Sequence, residues 1–259
     1  MTTIMMKIQT MPLKEMDASL LALSIQHKVA QFASPIEQVQ VDEALRLAAY
    51  LHRYQTRTNR GAMPRTHYIE HPLRNAERLL RYGVKNVALI IAVILHDTVE
   101  DGYVEMCELQ GLSRHEASTG MAVAYIAGHF GATVAAIVLG LTNSPYPKGT
   151  SKADKRGLYA LHVQDAVTDN PLVWLGKFVD WVDNAAGLHH NDVEGNEAMI
   201  KHLALKYTPL VEIFEGTMTD DIMNLVSDRG FEQIREHLDS GASSLKVLLS
   251  DPYEGTVLL

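Results

Sequence analysis

The sequence predicts an all-α protein folded as one helical bundle. Apolar residues recur at intervals of three and four along most of the chain, which is the spacing of helices with one buried face. Prolines, glycines and short polar stretches separate these segments, and we find no run of alternating polar and apolar residues that would mark a ladder of strands. No stretch has the composition of a linker, so we expect residues 1–259 to form a single domain.

The expected helices are bounded by residues that start or stop a helix. Pro35 separates the first two, Pro72 favours a helix start next to His71, and Gly83 can close that helix. The run 86–96 is rich in valine and isoleucine, but its length favours a buried helix over a strand. The predicted helices cover residues 20–32, 36–55, 71–83, 86–96, 113–130, 132–142, 158–168, 172–188, 196–215, 218–228 and 231–239.

Two polar segments are expected to be loops, namely residues 56–68, with Gly61 and Pro64, and residues 143–157, rich in serine, proline, glycine and lysine. The run Ser240-Gly-Ala-Ser-Ser should follow the last helix and lead into a short apolar tail. Residues 196–259 are treated as a C-terminal helical extension. Their apolar content fits packing on the core or an interface between copies, which leaves a homo-oligomer open.

Composition limits the classes of partner. The net charge of −8 argues against an extended nucleic-acid surface and against attraction to an anionic membrane. The N-terminal residues lack the apolar core of a secretion signal, and no apolar run is long enough to span a bilayer. Cys107 is the only cysteine, so an internal disulfide is excluded and a reducing compartment fits best. We therefore expect a cytoplasmic protein that acts on a small molecule.

One apolar run ends abruptly in polar residues. Residues 88–95 are all apolar, and they are followed within six positions by His96, Asp97, Glu100 and Asp101. On a continuous helix these side chains would fill two turns, and the carboxylates would repel one another unless a positive charge such as a divalent metal is present. An isolated His-Asp pair would equally serve as a helix cap, so the metal interpretation depends on further ligands elsewhere.

A second polar group lies on a segment that is otherwise apolar. Around Asp180, three further polar residues fall at helical spacings on one face, namely Lys177, Asp183 and Asn184. A solvated face would show the same spacing, but the flanking tryptophan, phenylalanine and valine residues indicate that the segment is largely buried. Buried carboxylates require a partner.

Six motifs follow one another along the chain: His52-Arg-Tyr-Gln55-Thr-Arg57, Tyr68-Ile-Glu-His71-Pro72, Leu95-His96-Asp97-Thr-Val-Glu100-Asp101, Phe130-Gly131, Gly140-Leu-Thr142 and Lys177-Phe-Val-Asp180-Trp-Val-Asp-Asn184. In order and approximate spacing they resemble the HD-domain hydrolase module of RelA/SpoT proteins over roughly residues 41–190. The resemblance implies a single all-helical HD domain. The chain ends too soon after the module for the synthetase domain of the long family members, so a stand-alone hydrolase is expected.

The resemblance also implies an activity and a site. The family removes pyrophosphate from the 3′ position of ppGpp and pppGpp, the alarmones of the stringent response. By carry-over, Glu100 and Asp101 would handle or orient the attacking water, and Arg57 and Asn184 would contact the substrate. Two imidazoles and two carboxylates suit manganese, iron or zinc. The implied cofactor is one divalent metal, typically manganese, bound by His71, His96, Asp97 and Asp180.

Cations are concentrated in two places. Seven arginines and only two acidic residues lie between Arg53 and Arg81, and a phosphate site explains this because guanidinium groups bind phosphate oxygens in pairs. We assign phosphate binding to Arg57, Arg60 and Arg65. A solvated helix face is the better interpretation of Arg74, Arg78 and Arg81. In the expected loop 143–157, a polyphosphate lid or an ordinary flexible loop would both account for Lys148, Lys152, Lys155 and Arg156.

Two departures from the family pattern make another nucleotide substrate a genuine alternative. Trp181 and Asp183 stand where the pattern has arginine and usually histidine, and the loop after Arg57 is longer than in the family. The nearest alternative is therefore an HD hydrolase of another nucleotide, such as (p)ppApp, NADPH or a deoxynucleoside triphosphate. A non-catalytic nucleotide-sensing module is the third hypothesis. It would be indicated by a missing metal ligand, and none of the four is missing.

Overall fold

The protein is built almost entirely from α-helices, as a computed structural model describes it for residues 3–57, 66–143, 145–188 and 197–250. The helices are α1 Thr3–Thr10, α2 Ala18–Val29, α3 Pro35–Leu51, α4 Glu70–Arg81, α5 Val87–Leu95, α6 Thr98–Asp101, α7 Tyr103–Glu108, α8 Thr119–Phe130, α9 Ala132–Leu141, α10 Lys152–Val167, α11 Pro171–Trp181, α12 Glu197–Tyr207, α13 Pro209–Thr217, α14 Asp220–Asn224 and α15 Asp228–Leu249. The all-α prediction is confirmed.

Four short elements complete this description. A 3₁₀ turn at Leu13–Glu15 precedes α2, and a π-helical turn at Val182–Ala186 continues α11. Strands β1 Thr56–Arg57 and β2 Thr66–His67 pair antiparallel with Thr56 opposite His67. Among the described residues we find no helix that combines the length and the apolar character needed to span a bilayer.

Helix α5 is the centre of the core, as its apolar sequence predicts. It packs against α3, α4, α9 and α11, and every side chain from Leu89 to Leu95 is at most 1% exposed. The side chain of Asn86 caps it by accepting a hydrogen bond from the Leu89 amide at 2.9 Å. The helix ends at Leu95, where the polar residues begin, and α6 starts only at Thr98. The polar residues therefore lie at the edge of the core but not on one continuous helix.

The C-terminal helices pack on the same core, which accounts for most of their apolar residues, although Leu205 and Val247 are exposed. Helix α12 packs against α10 and the π-helical turn, α13 packs against α10, and α15 packs against the π-helical turn. Side chains from each helix enter the core, for example Ala204, Phe214 and Leu238.

Several boundaries differ from those predicted; for example, α8 begins at Thr119 and not at residue 113, and the predicted helix 196–215 is divided into α12 and α13. Two of the differences have a clear structural cause. Helix α15 continues through Ser240-Gly-Ala-Ser-Ser to Leu249, because small residues let it approach Trp181. A Cβ on Gly241 would lie only 2.5 Å from Cη2 of that indole. Tertiary packing thus outweighs the weak helix propensity of this run. Helix α10 begins at Lys152, capped by the Ser151 hydroxyl, so the expected loop 143–157 is shorter than predicted.

Candidate active site

Four side chains predicted as metal ligands converge at one end of α5. His71 lies in the first turn of α4, His96 and Asp97 occupy the turn between α5 and α6, and Asp180 lies near the end of α11. Because α5 ends before these residues, the side chains of His96 and Asp97 can both point towards His71 and Asp180. The separations are 2.9 Å for His71 Nε2 to Asp180 Oδ1, 3.2 Å for His96 Nε2 to Asp97 Oδ2, 3.7 Å for His71 Nε2 to Asp97 Oδ2, and 3.7 Å for His96 Nε2 to Asp180 Oδ1.

The other ring nitrogen of each histidine is already engaged. His71 Nδ1 donates to Asp183 Oδ2 at 2.7 Å, and His96 Nδ1 donates to the Val93 carbonyl at 2.8 Å. In the neutral imidazole only one nitrogen carries hydrogen, so each Nε2 presents a lone pair to the centre. His96 Nε2 is buried and has no hydrogen-bond partner in the described part of the chain.

Two carboxylates and two ring nitrogens therefore lie close together, and this arrangement requires a nearby positive charge. Burial alone would lower the pKa of His96, but the carboxylates of Asp97 and Asp180 outweigh it and raise that pKa to about 9. A divalent metal can supply the same charge. Ligand atoms of His71, His96 and Asp97 all lie within 4.8 Å of one another, and two imidazoles with carboxylate oxygens form a donor set that fits manganese, iron or zinc. The residues present fit the metal that the sequence implied.

Tyr68 orients one of these carboxylates, a role the sequence analysis missed. Its hydroxyl donates to Asp97 Oδ2 at 2.8 Å. Its ring also lies 4.9 Å from the ring of His52, which is buried at the end of α3. The only sequence signal was the position of Tyr68 three residues before His71 in a shared motif. Such outer contacts fix the direction of a metal ligand.

Asp183 binds the far side of His71 and is the most heavily bonded side chain near the centre. Its carboxylate is fully buried. Burial alone would raise its pKa, but Lys14 and Arg74 hold the pKa well below its usual range. The partners are His71 Nδ1 at 2.7 Å, Arg74 Nε and Nη2 at 2.9 Å each, Lys14 Nζ at 3.0 Å, Arg57 Nη1 at 3.4 Å and Arg78 Nη2 at 3.5 Å.

The prediction of a solvated face for the arginines of α4 is wrong for two of them. Arg74 and Arg78 are only 5% and 6% exposed, and both point at Asp183. Arg81 is half-buried and donates to Glu77 and to the carbonyls of Met11 and Ile8. The reason is that α4 packs against α2, α5 and α11, so its polar side also faces protein. These arginines compensate a buried carboxylate.

Of the three arginines predicted to bind phosphate, only Arg57 lies among the described residues. Arg57 Nη2 donates to Asn184 Oδ1, and Asn184 Nδ2 donates to Asp180 Oδ1 at 2.7 Å. The structure thus brings both predicted substrate contacts beside the predicted metal ligands. Arg60 and Arg65 fall within residues 58–65, which lie outside the described residues.

The predicted catalytic carboxylates lie on α6 at the rim of the site. Glu100 Oε1 accepts hydrogen bonds from the Asn143 amide at 2.6 Å and from Asn143 Nδ2 at 3.1 Å. Partial burial and the charge of Asp97 raise the pKa of Glu100 although the Asn143 bonds oppose the shift. Burial and Asp97 also raise the pKa of Asp101. A glutamate with a raised pKa is a stronger base than a free one.

A buried lysine completes this side of the site. Lys177, one turn before Asp180, is 4% exposed, and its Nζ donates to the Leu141 carbonyl at 2.5 Å and to Asn143 Oδ1 at 3.2 Å. Asn143 therefore joins Lys177 to Glu100. The sequence analysis placed Lys177 on the same face as Asp180 but gave it no role, because its partners lie on a different part of the chain.

Three of the four cations predicted in the loop 143–157, namely Lys152, Lys155 and Arg156, lie on α10, whereas Lys148 lies in the turn before it. Lys152 is exposed in the first turn of α10. Arg156 Nη1 lies 3.3 Å from His202 Nδ1 on α12. Within the described ranges neither side chain has a hydrogen bond or ion pair with the four central residues. The loop placement of Lys152 and Arg156 is corrected, and their contact with substrate stays a prediction.

Comparisons with known proteins give two relatives of the same name. The chain is 28% identical to the guanosine-3′,5′-bis(diphosphate) 3′-pyrophosphohydrolase MESH1 of Homo sapiens over 200 residues, which covers 75% of this chain and 97% of that protein. It is 31% identical to MESH1 of Danio rerio over 154 residues, which covers 59% of this chain and 71% of that protein. No family model matches the chain.

A solved structure shares the fold. It is that of a metazoan ortholog of SpoT that hydrolyses ppGpp, with a TM-score of 0.52 and 22% identity over 75% of this chain and 94% of that one. At this identity the likeness bears on the fold, which is the helical architecture expected from the motifs.

Proposed function

The chain belongs to the MESH1 family of guanosine-3′,5′-bis(diphosphate) 3′-pyrophosphohydrolases, and on that premise we propose that it removes the 3′-pyrophosphate of ppGpp and pppGpp. The observation that carries the proposal is the convergence of the His71 and His96 ring nitrogens and the Asp97 and Asp180 carboxylate oxygens on one centre. We further propose that these four residues hold one divalent metal, most suitably manganese.

The chemistry joins a water oxygen to the phosphorus on the 3′ oxygen and breaks the bond between that phosphorus and the 3′ oxygen. Water loses a proton and the 3′ oxygen gains one. A divalent metal, when bound, supplies Lewis-acid polarisation of the phosphoryl group and positive charge beside the nucleophile. Glu100 takes the proton from water, and Asp101 orients the water from the same helix.

The remaining residues bind and position the nucleotide. Arg57 lies beside the metal centre, where its guanidinium can bind phosphate oxygens. The Asn184 amide nitrogen donates to Asp180, and its amide oxygen accepts from Arg57. Lys177 provides fixed positive charge behind Glu100 and Asn143. Charge that is fixed before the reaction stabilises the phosphorane-like transition state without reorganisation.

The substrate is tested with a panel of ppGpp, ppApp, NADPH and deoxynucleoside triphosphates, assayed with manganese. We expect pyrophosphate to be released from ppGpp in preference to the other compounds. Preferred turnover of another compound in the panel would support the metal site but show that the substrate is not ppGpp. No turnover of any member would contradict the proposed function and favour a nucleotide-sensing module.

Replacing Glu100 by glutamine should retain the metal and lose most of the rate. The amide keeps the size of the side chain but cannot accept a proton from water, so we expect kcat to fall by about 10²–10⁴-fold. The measurements are steady-state kinetics and metal content. The exposed Glu212→Gln on α13 serves as the matched control. Parallel loss of rate and metal would instead make Glu100 a ligand or a structural residue.

Other expectations about the protein's surroundings stay predictions. These are a cytoplasmic location, a homo-oligomer, and the lack of nucleic-acid or membrane partners. The location and the lack of such partners rest on the net charge and on the single cysteine, which is buried. The homo-oligomer rests on the apolar content of residues 196–259.

A further inference from the structure

Lys206 on α12 is a half-buried cation held between two aromatic rings. Its Nζ lies 4.1 Å from the ring centroid of Tyr159 on α10 and 5.1 Å from that of Tyr207. The two tyrosine rings themselves meet edge to face at 6.4 Å. Such rings stabilise an ammonium group and fix its position without using its hydrogen-bond donors.

The end of α12 is hydrogen-bonded to α11, the helix that carries Asp180. Trp181, the residue after Asp180, donates its indole N–H to the Tyr207 carbonyl at 3.2 Å. The carboxylates of Asp180, Glu100 and Asp97 favour the charged form of Lys206, although burial outweighs them and lowers its pKa. The hydrogen bond of Trp181 to Tyr207, the residue after Lys206, places this end of α12 directly against the chain segment that carries Asp180.

The neighbouring cations differ from Lys206 in having protein partners. Lys177 donates to a carbonyl and to Asn143, and Arg74 is bonded to Asp183 through two nitrogens. For the residues that the structure describes, Lys206 has no hydrogen bond and no ion pair. Because Lys206 is only partly buried, its ammonium remains accessible to an anion, which would add charge-assisted hydrogen bonds.

We propose that Lys206 is a substrate-binding residue whose ammonium binds a phosphate group of the nucleotide. This inference rests on the proposed function, and it gives the C-terminal helices a part in the active site. Phosphate oxygens would accept the hydrogen bonds of the ammonium in place of water, and the two tyrosines hold the lysine in place before substrate arrives. The contact is made in both the bound substrate and the transition state, so its loss should appear mainly in KM.

The test compares Lys206→Met, Lys206→Arg and, as control, Lys201→Met. Methionine keeps an apolar stem over Tyr159, arginine keeps the charge, and Lys201 is exposed on the same helix. We expect Lys206→Met to raise KM for ppGpp at least about tenfold with kcat changed less than about threefold, the size of effect of one charge-assisted hydrogen bond. Lys206→Arg should restore most of the affinity, while melting temperature and metal content stay unchanged in all three variants.

Binding of inorganic pyrophosphate, measured by calorimetry, separates this proposal from the proposed function. If the wild type fails to cleave ppGpp but binds pyrophosphate, and Lys206→Met weakens that binding at least about tenfold, the anion site is supported although the activity is not. If Lys206→Met leaves both KM and pyrophosphate affinity at the wild-type values, the proposal is overturned whatever the activity. A fall in kcat alone, without change in either, also overturns it.

Discussion

Replacing His96 with alanine is expected to abolish metal binding and turnover while the helical fold remains. His96 Nε2 is a buried acceptor that faces Asp97 and Asp180 at 3.2 and 3.7 Å, so its loss removes one ligand and leaves the carboxylates facing an open position. Metal chemistry contributes several kcal/mol to such reactions, and each 1.4 kcal/mol is about tenfold in rate. We therefore expect turnover to fall by more than about 10³-fold.

The measurements are metal content after gel filtration, steady-state turnover and far-ultraviolet circular dichroism. Asp97→Ala should give the same result, because Asp97 Oδ2 lies within 3.7 Å of Nε2 of both His71 and His96. His27→Ala is the matched control, since His27 is exposed on α2. Full activity with either His96→Ala or Asp97→Ala would disprove the metal assignment.

Replacing Asp183 with asparagine is expected to weaken both the fold and the metal site. Asparagine is almost isosteric but neutral, so among the described residues it leaves the buried Arg78 without a countercharge and Arg74 with only Glu70, 3.5 Å away. Breaking a buried ion pair in this way costs about 3–5 kcal/mol. His71 would also lose the carboxylate that fixes its tautomer, and the loss of such an outer partner lowers metal affinity by about 10–100-fold.

Denaturant unfolding and metal titration measure the two effects separately. Asp239→Asn provides the control, because Asp239 is exposed on α15. If Asp183→Asn does not fold, Asp183→Glu, which keeps the charge but displaces it, should fold and still bind metal more weakly than wild type. Wild-type stability together with wild-type metal affinity in Asp183→Asn would show that Asp183 neither compensates the arginines nor orients His71.

The sequence predicted the parts of the site that are carried by local patterns. The apolar run that becomes α5 ends at His96 because the core ends there, and the proline after His71 marks the start of α4. Asp180 was expected to be buried because its neighbours on α11 are apolar. These features depend on residues close in the chain, so their prediction needs no knowledge of packing.

The parts that were missed depend on contacts between distant residues. Asp183 meets Arg74 across 109 positions and Lys14 across 169, so the charge pattern of α4 alone suggested a solvated face. Gly241 looked like a helix end because its contact with Trp181 is not visible in the sequence. Lys206 is an ordinary lysine on an amphipathic helix until α12 is placed against α10. In each case tertiary packing decided the outcome.

The most direct test of the account is the product formed from ppGpp by the metal-free protein before and after manganese is restored. The protein is first stripped with chelator, and guanine nucleotide, pyrophosphate and inorganic phosphate are then quantified by chromatography. We predict no turnover without metal, and GDP and pyrophosphate in equal amounts once manganese is added. Equal rates with chelator and with manganese, or release of inorganic phosphate in place of pyrophosphate, would contradict the assignment of a metal-dependent 3′-pyrophosphohydrolase.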